Sequence, residues 1–594
     1  AWPKLEKLSK EKGVPLDTPW RKLSAAHRKL LLEGGEGFRG VLAFLERLKA
    51  KSYQIGNRFI IKRYQSPRLC PSCHGARLAP QALRVKLAGR SIAEVAAQTV
   101  GEAAGFMRAL EFTAREREIA GPVLDEIESR LRFLERVDLG YLTLDRLTRT
   151  LSGGEAQRIE LANALGANLA DTLYVLDEPT VGLHPRDTHR LVEILQELAS
   201  RGNTLVVVEH EAMVMEGAAQ LVDLGPGAGE HGGRLLYSGP AGDALATVET
   251  DTARYLRGEK RITRERAAGR PRGWIELTGA TQHNLKDVDV KIPLGRLVAV
   301  TGVSGSGKST LVEDVLYRAA REKLEGVEDE PVGAHRELRG LGQLDRVVLV
   351  DQSPIGKTPR SCPITYLGGY AALREAYARQ PAALARGLKD GAFSFNTPGG
   401  RCDTCEGAGW VTVEMYFLAD LQVPCETCGG SRFKPEVLDV RYRGLNIREA
   451  LDLTVDQAFE HFARESKFTR SIHMLRRVGL GYVRLGQPAI QLSGGEAQRL
   501  KVARELGERS TGRTLYLLDE PTVGLHFADI QVLLDVLDEL VKRGDTVLVV
   551  EHNLEVIRHA DWVIDLGPDG GTGGGRLVAE GPPETIMASA ESWT

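Results

Sequence analysis

Leu297-Val-Ala-Val-Thr-Gly302-Val-Ser304-Gly305-Ser-Gly307-Lys308-Ser309 is the stretch on which the fold turns. A short apolar run of strand length leads into G-x-x-x-x-G-K-S, and the spacing predicts a helix from about Ser309. Glycines let the backbone curl until its N–H groups face phosphate oxygens, and the start of the helix adds positive potential. In that setting Gly302, Ser304, Gly305, Gly307, Lys308, Ser309 and Thr310 make a phosphate cradle. Lys308 would reach the β- and γ-phosphates, and Ser309 would ligate Mg2+. The implied ligand is Mg–ATP.

Working outward, the chain proves to be a repeat. Leu151-Ser-Gly-Gly-Glu-Ala-Gln-Arg158 returns as Leu492-Ser-Gly-Gly-Glu-Ala-Gln-Arg499, 341 positions on. Leu173-Tyr-Val-Leu-Asp-Glu-Pro-Thr-Val-Gly-Leu-His184 returns, with one change, from Leu515 to His526, 342 positions on. Glu209-His210 returns as Glu551-His552. Two long identities in one order mean two copies of one module. The copies differ at the front: no phosphate loop precedes Leu151, where a helical, mixed-charge segment runs from Lys4 to about Lys62. The chain therefore reads as a module without its front followed by a whole one, and as an N-terminally incomplete molecule.

Asp177-Glu178 and Asp519-Glu520 each close an apolar strand, the end at which open α/β sheets place ligands. The first carboxylate of each pair suits the Mg2+ shell; the second suits orienting or deprotonating the attacking water. Acidic strand ends are often only solvated, but these recur with His210 and His552 at the next strand's end. We therefore take Glu178, His210, Glu520 and His552 as the catalytic candidates. Ser152, Gly153, Gly154 and Ser493, Gly494, Gly495 each open a helix, where hydroxyl and N–H donors suit an anion. Alone, such a sequence is a helix cap.

The 594 residues exceed one hydrophobic core, and 42% hydrophobic with 27% charged residues is ordinary for a water-soluble protein. Apolar runs such as Leu205-Val-Val-Val208 are strand-length, far short of the roughly 20 residues that span a bilayer. The opening Ala1-Trp-Pro-Lys lacks the basic region and apolar core of a signal peptide, and a cytoplasmic location is expected. A net charge of -2 means that any nucleic-acid contact comes from local basic patches. Six of the seven cysteines pair as C-x-x-C: Cys70/Cys73, Cys402/Cys405 and Cys425/Cys428. The last two pairs lie 19 residues apart around an alternating segment, Trp410 to Tyr416, which predicts a zinc ribbon rather than disulfides.

The phosphate loop, acidic pair, histidine and Leu-Ser-Gly-Gly-Glu elements together resemble the ABC-type ATPase superfamily. The resemblance implies that the signature of one module closes on nucleotide held by the other, and that Gln352 is the glutamine loop. Within that superfamily the chain is similar to the UvrA family of bacterial nucleotide-excision repair. Asp351-Gln-Ser-Pro-Ile-Gly-Lys-Thr-Pro-Arg360, Phe393-Ser-Phe-Asn396, Gly400-Arg-Cys402 and Leu525-His-Phe-Ala-Asp-Ile530 carry the likeness.

The expected fold is α/β: two tandem ABC-type ATPase modules with helical signature subdomains and zinc-ribbon insertions. The expected order is the end of a DNA-binding insertion (1–66), signature domain I with half of a zinc module (67–150) and the C-terminal part of ATP-binding domain I (151–256). A solvated linker (257–273) leads to ATP-binding domain II (274–355 and 491–594), interrupted by signature domain II with its ribbon (356–490). The resemblance implies a homodimeric, DNA-damage-verifying ATPase of the excinuclease system that loads a UvrB-like partner onto duplex DNA. Lys357, Thr358, Arg360 and Ser361, just after the glutamine loop, are its expected phosphate-backbone contacts. Lys49, Lys51, Arg58, Lys62 and Arg63 could also line DNA, or form an ordinary solvated helix face. Cys70 and Cys73 match half of a zinc module whose other pair is not in this sequence. Two alternatives stand beside this reading. A class II UvrA-like drug- or intercalator-tolerance ATPase would act without UvrB, and a transporter subunit is disfavoured by the ribbon and the lack of membrane spans.

Overall fold

The computed structural model describes all residues except 1, 19, 36, 51–60, 62, 63, 65–68, 152, 167, 168, 327–330, 352, 354, 357, 359, 414–420, 509 and 510. The chain forms two compact units, Ala1–Val95 and Ala96–Thr594.

The first unit carries helices Trp2–Lys12, Ala25–Glu33 and Gly40–Ala50 and a small hairpin, β1 (Lys86–Leu87) with β2 (Arg90–Ser91). Ser24 caps the second helix by accepting the His27 N–H at 3.1 Å. Leu8, Val14 and Leu23 are buried. Of the basic residues read as possible DNA contacts, Lys49 lies in the last turn of the third helix; Lys51, Arg58, Lys62 and Arg63 lie outside the described residues.

The second unit holds both modules. In the first, β3 (Leu173–Asp177) pairs parallel with β4 (Thr204–Val208), and β5 (Gln220–Gly225) pairs antiparallel with β6 (Arg234–Pro240). In the second, β7 (Trp274–Ala280) is flanked antiparallel by β8 (Val288–Pro293) and by β10 (Glu337–Arg339). A six-stranded sheet in the order β11-β14-β15-β9-β16-β17 is built from β9 (Leu297–Gly302), β11 (Arg346–Val350), β14 (Thr514–Asp519), β15 (Thr546–Val550), β16 (Trp562–Gly567) and the antiparallel edge β17 (Arg576–Gly581). Parallel strands covered on both faces need uninterrupted apolar sequence, and β9, Leu-Val-Ala-Val-Thr-Gly, is buried throughout.

The near-identical strands of the first module alternate between exposed and half-buried instead. Leu173, Val175, Val206, Val208, Val222 and Leu224 are 48–66% exposed, whereas Leu515, Leu517, Leu548, Val550, Ile564 and Leu566, each 342 positions on, are at most 1% exposed. In the second module that face is covered by Ile275, Leu277 and Val290 of the three-stranded sheet and by Leu311, Val312 and Val315 of the helix after the phosphate loop. Among the described residues no strand of the first module takes the place of β9 between β4 and β5.

The helical subdomain of the second module is built on an aromatic core, with Tyr377, Phe393, Phe395, Phe433, Phe462 and Phe468 fully buried. Segment 257–273 is less solvated than its charge suggests. Ile262 is buried, and the guanidinium of Arg264 reaches Asp538 and Asp561 at 3.1 Å and the His559 carbonyl at 2.8 Å. An arginine whose donors are so filled can be buried, and it straps the segment onto the second module.

Candidate nucleotide site between the two modules

The phosphate loop leaves the C-terminal end of β9, and the helix after it runs from Thr310 to Glu325. Gly302 has φ +129°, and a Cβ there would lie 1.9 Å from the Leu566 carbonyl oxygen, so only glycine fits. Lys308 folds back into the loop, its ammonium donating to the Gly302 and Val303 carbonyls at 2.9 and 3.0 Å. Burial pushes it down to about 8, opposed by Glu520, Asp187, Asp519 and Asp565. The buried Ser306 hydroxyl has no hydrogen-bond partner among the described residues. A loop with an ammonium held by its own carbonyls and a spare hydroxyl has the donor set that phosphate oxygens would fill.

Asp519 ends β14, buried enough to be pushed upward. Glu520 follows at φ +44° and Glu178 at φ +45°. Both are non-glycine residues in the left-handed region, where strain collects at functional positions. His552 Nε2 lies 3.7 Å from Glu520, and His210 Nε2 lies 3.8 Å from Glu178. Full burial drives His552 well below the ordinary histidine value, so its ring is neutral. Glu551 anchors this edge by accepting the N–H groups of Thr522, His552 and Asn553. Glu209 does the same for Thr180, His210 and Glu211.

The turns that follow the acidic pairs cross between modules. Ser304 of the phosphate loop donates to the Gly182 carbonyl at 2.9 Å, and a Cβ on Gly182 would sit 3.5 Å from the Glu520 carboxylate. Reciprocally, a Cβ on Gly524 would lie 3.1 Å from Glu178. His184 and His552 meet edge to face at 6.0 Å.

The signature helices start at Gly153 and Gly494. Ser493 forms a capping box with Glu496, accepting its N–H at 3.2 Å. Gly154 and Gly495 abut the Val181 and Val523 carbonyls of their own modules' turns. Ser152, Gln352 and Lys357 lie outside the described residues. Next to Gln352, Asp351 pairs with Lys501 of the second signature helix. Of the remaining DNA-contact candidates, Arg360 pairs with Glu406 at 3.4 Å, the Ser361 N–H donates to the Thr358 carbonyl, and the Ser361 carbonyl accepts from Ala489.

Sequence reasoning missed Tyr141 and Tyr482. Tyr141 donates to Glu155 of the first signature at 2.7 Å while its ring lies on Gly305 and Gly570 of the second module. Tyr482 donates to Glu496 at 2.7 Å, and its ring lies on Gly229 of the first. A Gly-Tyr pair ten positions before each signature was the available signal.

The sulfurs of Cys402, Cys405, Cys425 and Cys428 lie within 4.8 Å of one another, beside a hairpin of β12 (Trp410–Val413) and β13 (Leu421–Pro424). The 3.8 Å between the Cys405 and Cys428 sulfurs matches the edge of a tetrahedron with metal–sulfur bonds of about 2.3 Å. This cluster is compatible with zinc. Cys70 is exposed and Cys73 half-exposed, and among the described residues they join no group of three or more metal-ligating side chains.

These elements define a protein of two tandem ABC-type ATPase modules in one chain. No family model matches the chain. It is 48% identical over 98% of its length to UvrABC system protein A of Methanothermobacter thermautotrophicus, and 49% identical over 98% to that of Thermus thermophilus. It spans 63% and 64% of those proteins, just under two thirds. The crystal structure of UvrA2 from Deinococcus radiodurans superposes with a TM-score of 0.86 at 41% identity, covering all of this chain and 77% of that one. The chain belongs to the UvrA family.

Proposed function

We propose that the chain binds Mg–ATP between its modules and hydrolyses it, coupling the cycle to recognition of damaged duplex DNA in nucleotide-excision repair. The observation that carries this reading is the phosphate loop of the second module meeting the first module's turn directly beside Glu520. Lys308, Ser306 and the loop N–H groups would hold the phosphates, and Ser309 and Asp519 the Mg2+. Glu520 orients and deprotonates the attacking water, while neutral His552 fixes the carboxylate's approach. Ser152, Gly153 and Gly154 would close over this nucleotide. Asp177, Glu178 and His210, with Ser493, Gly494 and Gly495, form the reciprocal half-site. The four-cysteine hairpin would hold zinc structurally. Thr358, Arg360 and Ser361 would meet DNA, with Arg360 exchanging Glu406 for a phosphate.

A UvrB-like partner is suggested by the name UvrABC system protein A that the relatives carry, and a homodimer by the family resemblance of the sequence. The relatives named UvrABC system protein A support this reading over a tolerance factor acting without UvrB. Among the described residues no helix is long and apolar enough to cross a membrane. The test is a titration with fluorescent ATP and with lesion-bearing and intact duplexes. Lys308→Ala should abolish tight nucleotide binding, and the wild type should prefer the lesion in at least one nucleotide state, more weakly as salt rises. Equal affinity for both duplexes in every state would refute the DNA reading.

A further inference from the structure

Two hydrogen-bond chains cross the interface between the modules, and they repeat each other residue for residue. His184, in the first module's turn, places Nε2 3.1 Å from the Thr594 hydroxyl, which lies 3.3 Å from Asp565 Oδ1 of the second module. His526, in the second module's turn, places Nε2 3.1 Å from the Thr252 hydroxyl, which lies 3.2 Å from Asp223 Oδ1 of the first. Each of the three residue pairs is 342 positions apart, so the interface preserves the offset of the repeat itself.

The direction of each chain is fixed. The Arg186 N–H donates to His184 Nδ1, and the Ala528 N–H donates to His526 Nδ1, both at 3.3 Å. Burial pushes His184 down to about 3 and lowers His526 too, so both rings are neutral. A neutral imidazole with its lone pair on Nδ1 carries its proton on Nε2. Each Nε2–H therefore donates to threonine, and the carboxylate, which only accepts, takes the threonine O–H; the Thr301 hydroxyl, also 3.3 Å from that of Thr594, is then left to donate to it. Threonine is the type that serves here, since it accepts and donates through one atom.

The ends of the chain explain its use. Asp565 is paired in register with Thr301, the residue before the phosphate loop, and it acts electrostatically on Lys308. At the other end, the turn bearing His184 holds Gly182 against Glu520 and receives Ser304. We propose that Thr594 and Thr252 are positioning residues that tie the aspartate beside one module's nucleotide edge to the other module's turn. When phosphate draws the Lys308 ammonium off the Gly302 and Val303 carbonyls, the charge facing Asp565 changes. Asp565, Thr594 and His184 then carry that change to the turn that packs on Glu520.

This inference rests on the proposed ATPase reading. The 594-residue chain carries its phosphate loop in the second module, so Thr594 is the place to test it. Steady-state hydrolysis should show Thr594→Val with kcat lowered about tenfold and the KM for ATP within twofold of wild type. Thr594→Ser, which keeps the hydroxyl, should stay within twofold in both. Thr594→Ala, which removes the hydroxyl without adding an apolar branch, should match the valine variant and guards against a folding defect of that substitution. A valine variant with wild-type kcat overturns the relay and leaves the ATPase reading standing. A rise in KM as large as the fall in kcat, or no rescue by serine, reduces the contact to packing and also overturns it. No hydrolysis by the wild type overturns both.

Discussion

Lys308 shows how far a residue's setting departs from its motif. The motif asks for a cation, but the fold buries that cation against its own loop carbonyls and leaves four carboxylates to keep it charged. A folded value near 8 means that the ammonium is protonated at pH 7 and largely neutral at pH 9. Phosphate binds the charged form. ATP affinity should therefore hold up to about pH 8 and then fall, by about tenfold between pH 7 and pH 9. Terminal phosphates finish titrating below this window, so the ligand does not contribute. Titration with a non-hydrolysable nucleotide across pH 7–10 reads the effect, and a flat profile to pH 9.5 would show that Lys308 keeps an ordinary lysine value. The strained φ of Glu178 and Glu520 was not legible in the sequence. Nothing in Leu-Asp-Glu-Pro marks a left-handed residue, because that backbone is imposed by the strand end and the turn beyond it.

At the scale of elements, local pattern and local structure agreed wherever both faces of an element are decided nearby. The β9–loop–helix unit and the Cys402–Cys428 hairpin formed as their spacing predicts. Segment 257–273 did not, because a composition rich in Arg and Glu cannot reveal that Arg264 finds Asp538 and Asp561 nearly 300 positions on. The cysteines separate in the same way. Cys425 is fully buried among three other thiols, whereas Cys70 is exposed and, among the described residues, joins no such group. Metal analysis of the purified chain should give one zinc per chain. Cys425→Ser should lose it, since three ligands in a small hairpin hold zinc poorly, and Cys70→Ser should retain it. Loss of zinc from both variants would mean that the N-terminal pair is a metal site in its own right.

At the scale of the molecule, repetition of sequence does not guarantee repetition of environment. The offset of 342 that pairs Leu173 with Leu515 was legible at once, and so was the common strand they predict. What differs is the layer above the strand. In the second module the three-stranded sheet and the helix after the phosphate loop cover it, and in the first those six apolar side chains face outward. A burial cost is a property of that layer, so equivalent substitutions should have unequal effects. Leu517→Ser removes a fully buried side chain and leaves a hydroxyl in an apolar core, at a cost of about 3–5 kcal/mol. Val175→Ser, at the equivalent position, is 66% exposed and should stay within about 0.5 kcal/mol of wild type. It should also lower self-association, by breaking up a contiguous apolar face. Urea unfolding of both variants, with light scattering of the native samples, reads the two effects. A Val175→Ser destabilisation approaching that of Leu517→Ser would mean that the first module's sheet is covered in solution by another part of the chain or by a second copy.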